Sequence, residues 1–421
     1  MKKICVLGLG YIGLPTSLLF AINGNKVIGV DINKQIVDII NKRKAPFKED
    51  GLVELFKKAF DSNNFYANTM VENADVFLIA VQTPLDNEAK LADLKYVKSA
   101  ANMIYPFLSK GNLVIIESTI PPATSEKVVV PILEKSGLKV NLDFDIVHCP
   151  ERAIPGNTIY EMINNDRIIG GSNIKSVEFA KELYSCYVNG NFHMTDIRTA
   201  EICKLMENTY RDINIALANE FAQIADECGI DVWKAIELAN KHPRVNILKP
   251  GPGVGGHCIA IDPWFLRENS SKSRIISLSR EINDSMPNYV ISKVKEILKG
   301  MHQPMITVFG IAYKGNVGDC RETPALKILK LAEKEGFRIK IYDPHVTKFE
   351  YPLSDLNIAV KDTDCIVVVT DHSDFKNIDP VKIESLVRNK NVLDTRNILD
   401  QSQWEASGFN FNLIGRSKTV F

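Results

Sequence analysis

The stretch from Pro250 to Phe265 reads Pro-Gly-Pro-Gly-Val-Gly-Gly-His-Cys-Ile-Ala-Ile-Asp-Pro-Trp-Phe, with one thiol closing a run of four glycines in six residues. Glycine tolerates positive φ and lets another molecule approach the backbone closely. Successive N–H groups in such a turn can form an electropositive nest, which favours thiolate over thiol and makes Cys258 a candidate nucleophile. The alternative is a turn whose cysteine is simply buried, since free cysteine often is. Further upstream, Lys204, Asn208 and Arg211 stand at i, i+4 and i+7 in a segment without Gly or Pro, so one helix face carries all three. The competing reading is a solvated face in which Glu207 and Arg211 form an ordinary i,i+4 pair. Glu151 and Arg152 follow Cys149-Pro150 at the end of an apolar run, where they make either a solvated ion pair or part of a site. His148, Cys149, His257 and Cys258 could suggest zinc. Neighbours on a strand face opposite ways, however, and the spacing fits no common zinc site, so no metal is expected.

The elements that would position these residues are legible. Residues 3–9 form a short apolar run leading into Gly8-Leu-Gly10-Tyr11-Ile12-Gly13; a helical segment follows at 14–23, then a strand at 26–30 ending at Asp31, 21 residues after Gly10. Strand, glycine turn, helix, strand and acid make the dinucleotide fingerprint, in which the helix N-terminus takes a pyrophosphate. Asp31 would accept from ribose hydroxyls and repel a 2′-phosphate, favouring NAD over NADP. Strands at 75–81 and 112–117 deliver Thr83 and Thr119 to the carboxyl edge of a parallel sheet, where ligands bind; ordinary turn and capping duty is the alternative for both. A further strand is expected at 144–148. Helices are expected at about 197–228, 231–241 and 284–299. The opening pattern then recurs: 306–315 echoes the first strand and turn, 338–343 echoes the strand ending at Asp31, and 364–370 and 391–396 echo the next two. The second half lacks the glycine fingerprint and offers Tyr313, Lys314, Arg321 and Arg396 at strand ends and turns, which suits an anionic ligand held by cations. The fold class is therefore α/β: two Rossmann-like doubly wound parallel-sheet domains, at 1–195 and 301–421, joined by a central helical domain with a long helix at 196–300.

Composition bounds the rest. Lys+Arg and Asp+Glu both total 51, so no global field favours nucleic acid or an anionic membrane. No apolar run approaches the ~20 residues of a membrane span. Eight cysteines without a C-x-x-C pair, and a chain that enters a strand at once instead of a leader, read as a soluble cytoplasmic protein.

The glycine loop with Cys258, the Lys204/Asn208 helix, Pro150-Glu151-Arg152 and Tyr313-Lys314-Gly315 with Arg321-Glu-Thr-Pro324 occur together and in order. In this the chain resembles the UDP-sugar 6-dehydrogenases, the UDP-glucose/UDP-mannose dehydrogenase family, over essentially its whole length. Members acting on UDP-glucose typically read G-G-S-C-F-x-K-D where this chain has Gly255-Gly256-His257-Cys258-Ile-Ala-Ile-Asp262, a departure that resembles the branch acting on N-acetylhexosamines. The 242–258 stretch and Cys149-Pro-Glu-Arg most resemble the members of that branch acting on UDP-N-acetyl-D-mannosamine, so the resemblance implies that substrate, with UDP-GlcNAc or UDP-GalNAc as alternatives. The resemblance implies a four-electron oxidation of the C6 hydroxyl with two NAD⁺. In it Cys258 carries the covalent intermediate, Lys204 and Asn208 stabilise an oxyanion, Asp262 tunes Lys204, and Glu151 and Thr119 position water. It further implies Arg152, Ala153, Lys204, Asn208, Arg211, His242, Arg244, Gly255, Tyr313, Lys314 and Arg396 as substrate ligands. Gly8, Gly10, Tyr11, Ile12, Gly13, Asp31, Thr83, Thr119 and Arg321 would serve NAD. A homodimer or dimer of dimers, packed through the long helix, is implied as well. Two rival readings remain: a single-oxidation dehydrogenase in which Cys258 is inert, and a non-catalytic module that senses NAD and UDP ligands.

Overall fold

The computed structural model describes residues 1–86, 88–154 and 156–417. They divide into two compact units, Met1–Glu207 with Trp264–Ser271, and Asn208–Pro263 with Lys272–Phe421.

The first unit is built on β1 (Lys3–Leu7), β2 (Lys26–Val30), β3 (Phe65–Asn68) and β4 (Val76–Ile79), a small hairpin of β5 (Leu85–Asp86) and β6 (Leu91–Ala92), then β7 (Leu113–Ile116), β8 (Asp145–His148), β9 (Arg167–Gly171) and β10 (Phe192–Asp196). All but the hairpin form one sheet in the order β10-β9-β8-β7-β4-β1-β2-β3, parallel except where β8 meets β9. The four apolar residues of each of β4 and β7 are buried, as strands covered on both faces require. The order reverses between β1 and β4, which opens a crevice at their carboxyl ends.

The second unit carries β11 (Met305–Phe309), β12 (Arg338–Tyr342), β13 (Cys365–Val368), β14 (Asn391–Asp394) and β15 (Asn410–Leu413), all parallel in the order β12-β11-β13-β14-β15. The internal echo is real down to its hydrogen bonds. Asp31 Oδ2 accepts the Leu9 N–H at 2.9 Å, and Asp343 Oδ2 accepts the Ile311 N–H at 2.7 Å, so each acid closes its own strand-turn corner.

The long helix runs Ile197–Cys228, as expected from the absence of breakers. The helix expected at 284–299 instead spans Arg274–Ile297, with Pro287 inside it. Proline is common in the first turn of a helix, where its missing N–H leaves nothing unpaired, and rarer inside one. In the interior it removes the bond to residue i−4, so the Asn283 carbonyl is released from the ladder. That carbonyl faces the glycine loop, 3.1 Å from where a Cβ on Gly253 would lie. No helix among the described residues is long and apolar enough to cross a membrane.

Candidate functional site

In the first unit the crevice of about 380 Å³ at the sheet's reversal is lined by Gly8 and Gly10 after β1, Asp31 and Asn33 after β2, and Val81 and Gln82 after β4. Gly8 has φ +96°, and a Cβ on Gly13 would stand 1.9 Å from the Gly8 carbonyl oxygen. The turn therefore closes tightly only with glycine at both places. Asp31 is held by the N–H groups of Leu9 and Asn33, and each of its oxygens keeps a lone pair for a ribose. Thr83 Oγ1 is buried without a partner at the same sheet edge. An orphaned hydroxyl, a bare helix N-terminus and an acid at the end of β2 suit NAD. Tyr11 packs against Phe47 with the rings tilted and their centroids 4.3 Å apart, and Ile12 packs on the core. Replacing Gly13 by alanine is expected to weaken NAD binding by about tenfold or more, measured by titration calorimetry. Unchanged affinity would separate the tight turn from cofactor binding.

The same unit holds Thr119, Glu151, Arg152, Ala153 and Lys204. Thr119 follows β7, where Ser118 Oγ donates to the Val81 carbonyl at 2.6 Å and ties the two strand ends together. Glu151 and Arg152 are not an ion pair with each other. Glu151 binds Arg167 at 2.7 Å and takes the N–H groups of Arg152 and Ala153, while Arg152 reaches Glu207 at 2.7 Å. Glu207 is therefore engaged away from Arg211, and the simple i,i+4 pair does not form. The solvated-face reading also fails for Lys204, which is only 8% exposed.

In the second unit Cys258 is exposed, so it is not the buried filler of a turn. Its loop is pinned from below: Gly256, at φ +86°, donates its N–H to the Arg321 carbonyl at 3.1 Å, and a Cβ on Gly255 would lie 2.6 Å from the Glu322 carbonyl oxygen. That bond removes Gly256 from any nest around the thiol. The Cys258 carbonyl accepts from Ile261 and Asp262 and so starts the helix Asp262–Glu268. Asp262, 2% exposed, receives Asn208 Nδ2 at 2.5 Å, which fixes the thiol loop to the long helix. Burial above all, reinforced by the charge of Arg321, holds the His257 imidazole below its ordinary pKa.

Arg211, Gly255, Tyr313, Lys314 and Arg396 converge on a cavity of about 820 Å³ whose wall is the loop 246–255. Its cations suit a diphosphate, and Trp233, Ile236 and Ile247 give it an apolar end. Arg396 is steered by Asp371 at 2.9 Å, and a Cβ on Gly251 would stand 2.5 Å from its Nη1. His242 and Arg244 are exposed and lie outside the lining, and Arg321 is clamped by Asp319 at 2.6 Å. Sequence reasoning missed Trp233, Asn240, Lys249 and Asp371. It also missed the buried chain beneath the loop. There Gly251 N–H donates to Asn219 Oδ1, Asn219 to Asn283 Oδ1, and Asn283 and Arg280 both to Asp212. Apart from Gly251, none of these residues belongs to a short motif. Among the described residues no group of three His, Cys, Asp or Glu side chains could hold a metal ion.

A dinucleotide crevice at a sheet reversal, with a second parallel sheet whose cations face an anion-sized cavity, defines an NAD-dependent oxidoreductase of the two-sheet type. The chain belongs to the UDP-glucose/GDP-mannose dehydrogenase family: residues 2–188 match its NAD binding domain, 198–285 its central domain and 307–401 its UDP binding domain. It is 50% identical over 425 residues to the UDP-N-acetyl-D-mannosamine dehydrogenase of Methanocaldococcus jannaschii, covering 100% of this chain and 98% of that one. Among solved structures it is similar to the UDP-D-ManNAc dehydrogenase of Pyrococcus horikoshii, with 40% identity, TM-score 0.93, and coverage of 99% and 100%. The UDP-N-acetyl-mannosamine dehydrogenase of Staphylococcus aureus is similar at 43% identity and TM-score 0.89, with 98% of each chain covered.

Proposed function

We propose that this enzyme oxidises the C6 hydroxyl of UDP-N-acetyl-D-mannosamine to the carboxylate of UDP-N-acetyl-D-mannosaminuronate, through a thiohemiacetal and a thioester on Cys258. The observation that carries this is an exposed thiol on a loop whose stem walls a cation-lined cavity. Full-length relatives that bear the mannosamine name support the choice of sugar. NAD supplies the hydride acceptor, and two are consumed per sugar. The protein's own groups do the rest. Cys258 Sγ adds to the C6 aldehyde left by the first oxidation, and the second oxidation turns that adduct into a thioester. Water then forms the new C–O bond as the C–S bond breaks, and Cys258 leaves as thiolate. Lys204 and Asn208 stabilise the C6 oxyanion by charge and hydrogen bond, with Asp262 orienting the Asn208 amide. Glu151 and Thr119 position the water. Arg211, Tyr313, Lys314 and Arg396 hold the UDP moiety, with Arg152, Ala153 and Gly255 completing the sugar's surroundings; His242 and Arg244, outside this chain's own cavity lining, reach the site of a neighbouring subunit, and Arg321 serves NAD. Three functional regions follow, at 1–195, 196–300 and 301–421. A homodimer packed through the long helix is part of the same reading, supported by Ile202, Met206, Tyr210, Leu217 and Ile224, exposed along that helix. Eight cysteines, none paired among the described residues, favour the cytoplasm.

The test is NADH release against UDP-ManNAc, UDP-GlcNAc, UDP-GalNAc and UDP-glucose in parallel. Two NADH per sugar, with kcat/KM for UDP-ManNAc about tenfold or more above the others, is the expected result. A larger value for UDP-GlcNAc or UDP-GalNAc would reassign the sugar. One NADH per sugar would remove the thioester, and no NADH from any of them would leave a binding module.

A further inference from the structure

Behind Glu151 lies a buried set of charges that the oxidation as written does not use. Arg167 opens β9 with its side chain 4% exposed, and its Nη2 donates to Glu151 Oε2 at 2.7 Å. Its Nη1 stands 3.7 Å from Glu117 Oε1, and the guanidinium lies over the Tyr184 ring, 4.7 Å from the centroid. Tyr187 and Cys149 complete its surroundings, at 3.4 Å from Nη2 and 3.8 Å from Nη1. Glu117 is the residue after β7. It accepts the Tyr184 hydroxyl at 2.6 Å and the Thr16 hydroxyl, from the helix that starts at the glycine turn, at 3.2 Å.

One guanidinium thus faces two carboxylates, Glu117 wholly buried and Glu151 with 8% of its side chain exposed. With both ionised the cluster carries net negative charge in a low dielectric, an arrangement that favours one bound proton. Burial above all, with Glu151's repulsion partly offsetting Arg167's attraction, pushes Glu117 up to about 7. It is protonated below that pH and ionised above it. When neutral it leaves Arg167 wholly to Glu151; when ionised it competes for the same charge.

We propose that Arg167 and Glu117 are positioning residues for Glu151: Arg167 fixes the carboxylate's orientation, and the ionisation of Glu117 sets how much of Arg167's charge Glu151 receives. This rests on the proposed work of Glu151 on water. In that step water gives its proton to Glu151 while its oxygen bonds to the thioester carbon. The Cys258 thiolate leaves and later recovers a proton from solvent, and Glu117 transfers nothing to the substrate. Ionised Glu117 draws on Arg167, so Glu151 accepts more strongly from water and hydrolysis speeds up.

The experiment is single-turnover hydrolysis of the thioester followed from pH 6 to 8. The wild-type rate is expected to rise about threefold through pH ~7. Glu117→Gln keeps the volume but cannot ionise, and its profile is expected to be flat over that range. Tyr184→Phe removes a hydrogen bond that stabilises the Glu117 anion, and should move the inflection to higher pH. Affinities for NAD and the UDP-sugar should stay within about twofold in both. An unchanged inflection in Glu117→Gln overturns the proposal, and so does an inflection that Tyr184→Phe leaves in place. Glu151→Gln separates the two layers. If it hydrolyses the thioester at the wild-type rate, the role of Glu151 itself fails. If it is slow while Glu117→Gln keeps the wild-type profile, only the positioning pair fails.

Discussion

Cys258→Ser is expected to stop uronate formation, lowering steady-state NADH production from the UDP-sugar by about a thousandfold or more while NAD and the UDP-sugar still bind. A serine hydroxyl is far less acidic than a thiol, so almost none of it is ionised near neutral pH and it adds poorly to an aldehyde. An alkoxide is also a far poorer leaving group than a thiolate, so an ester formed here would trap the enzyme. The exposure of Cys258 means the substitution leaves no cavity, and thermal stability should change little. The assay counts NADH and uronate separately. A serine variant that still makes acid at the wild-type rate would sink the covalent route. One that releases a single NADH per sugar at full speed would turn the enzyme into a one-step dehydrogenase.

How far the sequence revealed this arrangement depends on the reach of each interaction. The Gly8–Gly13 turn and Asp31 were legible because the fingerprint is local and each residue has one physical duty. The Ile197–Cys228 helix was legible because nothing in it breaks the ladder. The partners of Glu151 were not. Arg152 is its neighbour in the chain, yet the guanidinium that binds it belongs to Arg167, 16 residues on, at the start of a strand whose pattern ends in two glycines. The same holds for Asp371, which steers Arg396 from 25 residues away. Pro287 also acts beyond its neighbours in the chain: its missing N–H frees a carbonyl facing the glycine loop, a consequence that only the packed structure reveals. Buried polar chains such as Asp212–Asn283–Asn219 are specified by packing, and no spacing rule announces them.

Lys204→Met carries the second large expectation: kcat down by about a hundredfold or more, with KM for the UDP-sugar within about threefold. Lys204 sits on the long helix, one turn before Asn208, with 8% of its surface exposed. A helix face of that kind normally takes an apolar residue, and burying an ammonium there is costly. The cost is offset in turnover if the charge meets an anion that exists only while C6 is reacting, since a donor already in place needs no reorganisation. Methionine fills nearly the same volume without charge, so packing survives and the loss reads the electrostatic contribution. Lys204→Arg should rescue little, because a planar fork cannot place its charge where a single ammonium stood. Equal falls in kcat and kcat/KM would identify an interaction made in the transition state. A rise in KM with kcat preserved would demote Lys204 to a ground-state ligand, and the oxyanion would then rest on Asn208, already held by Asp262 at 2.5 Å.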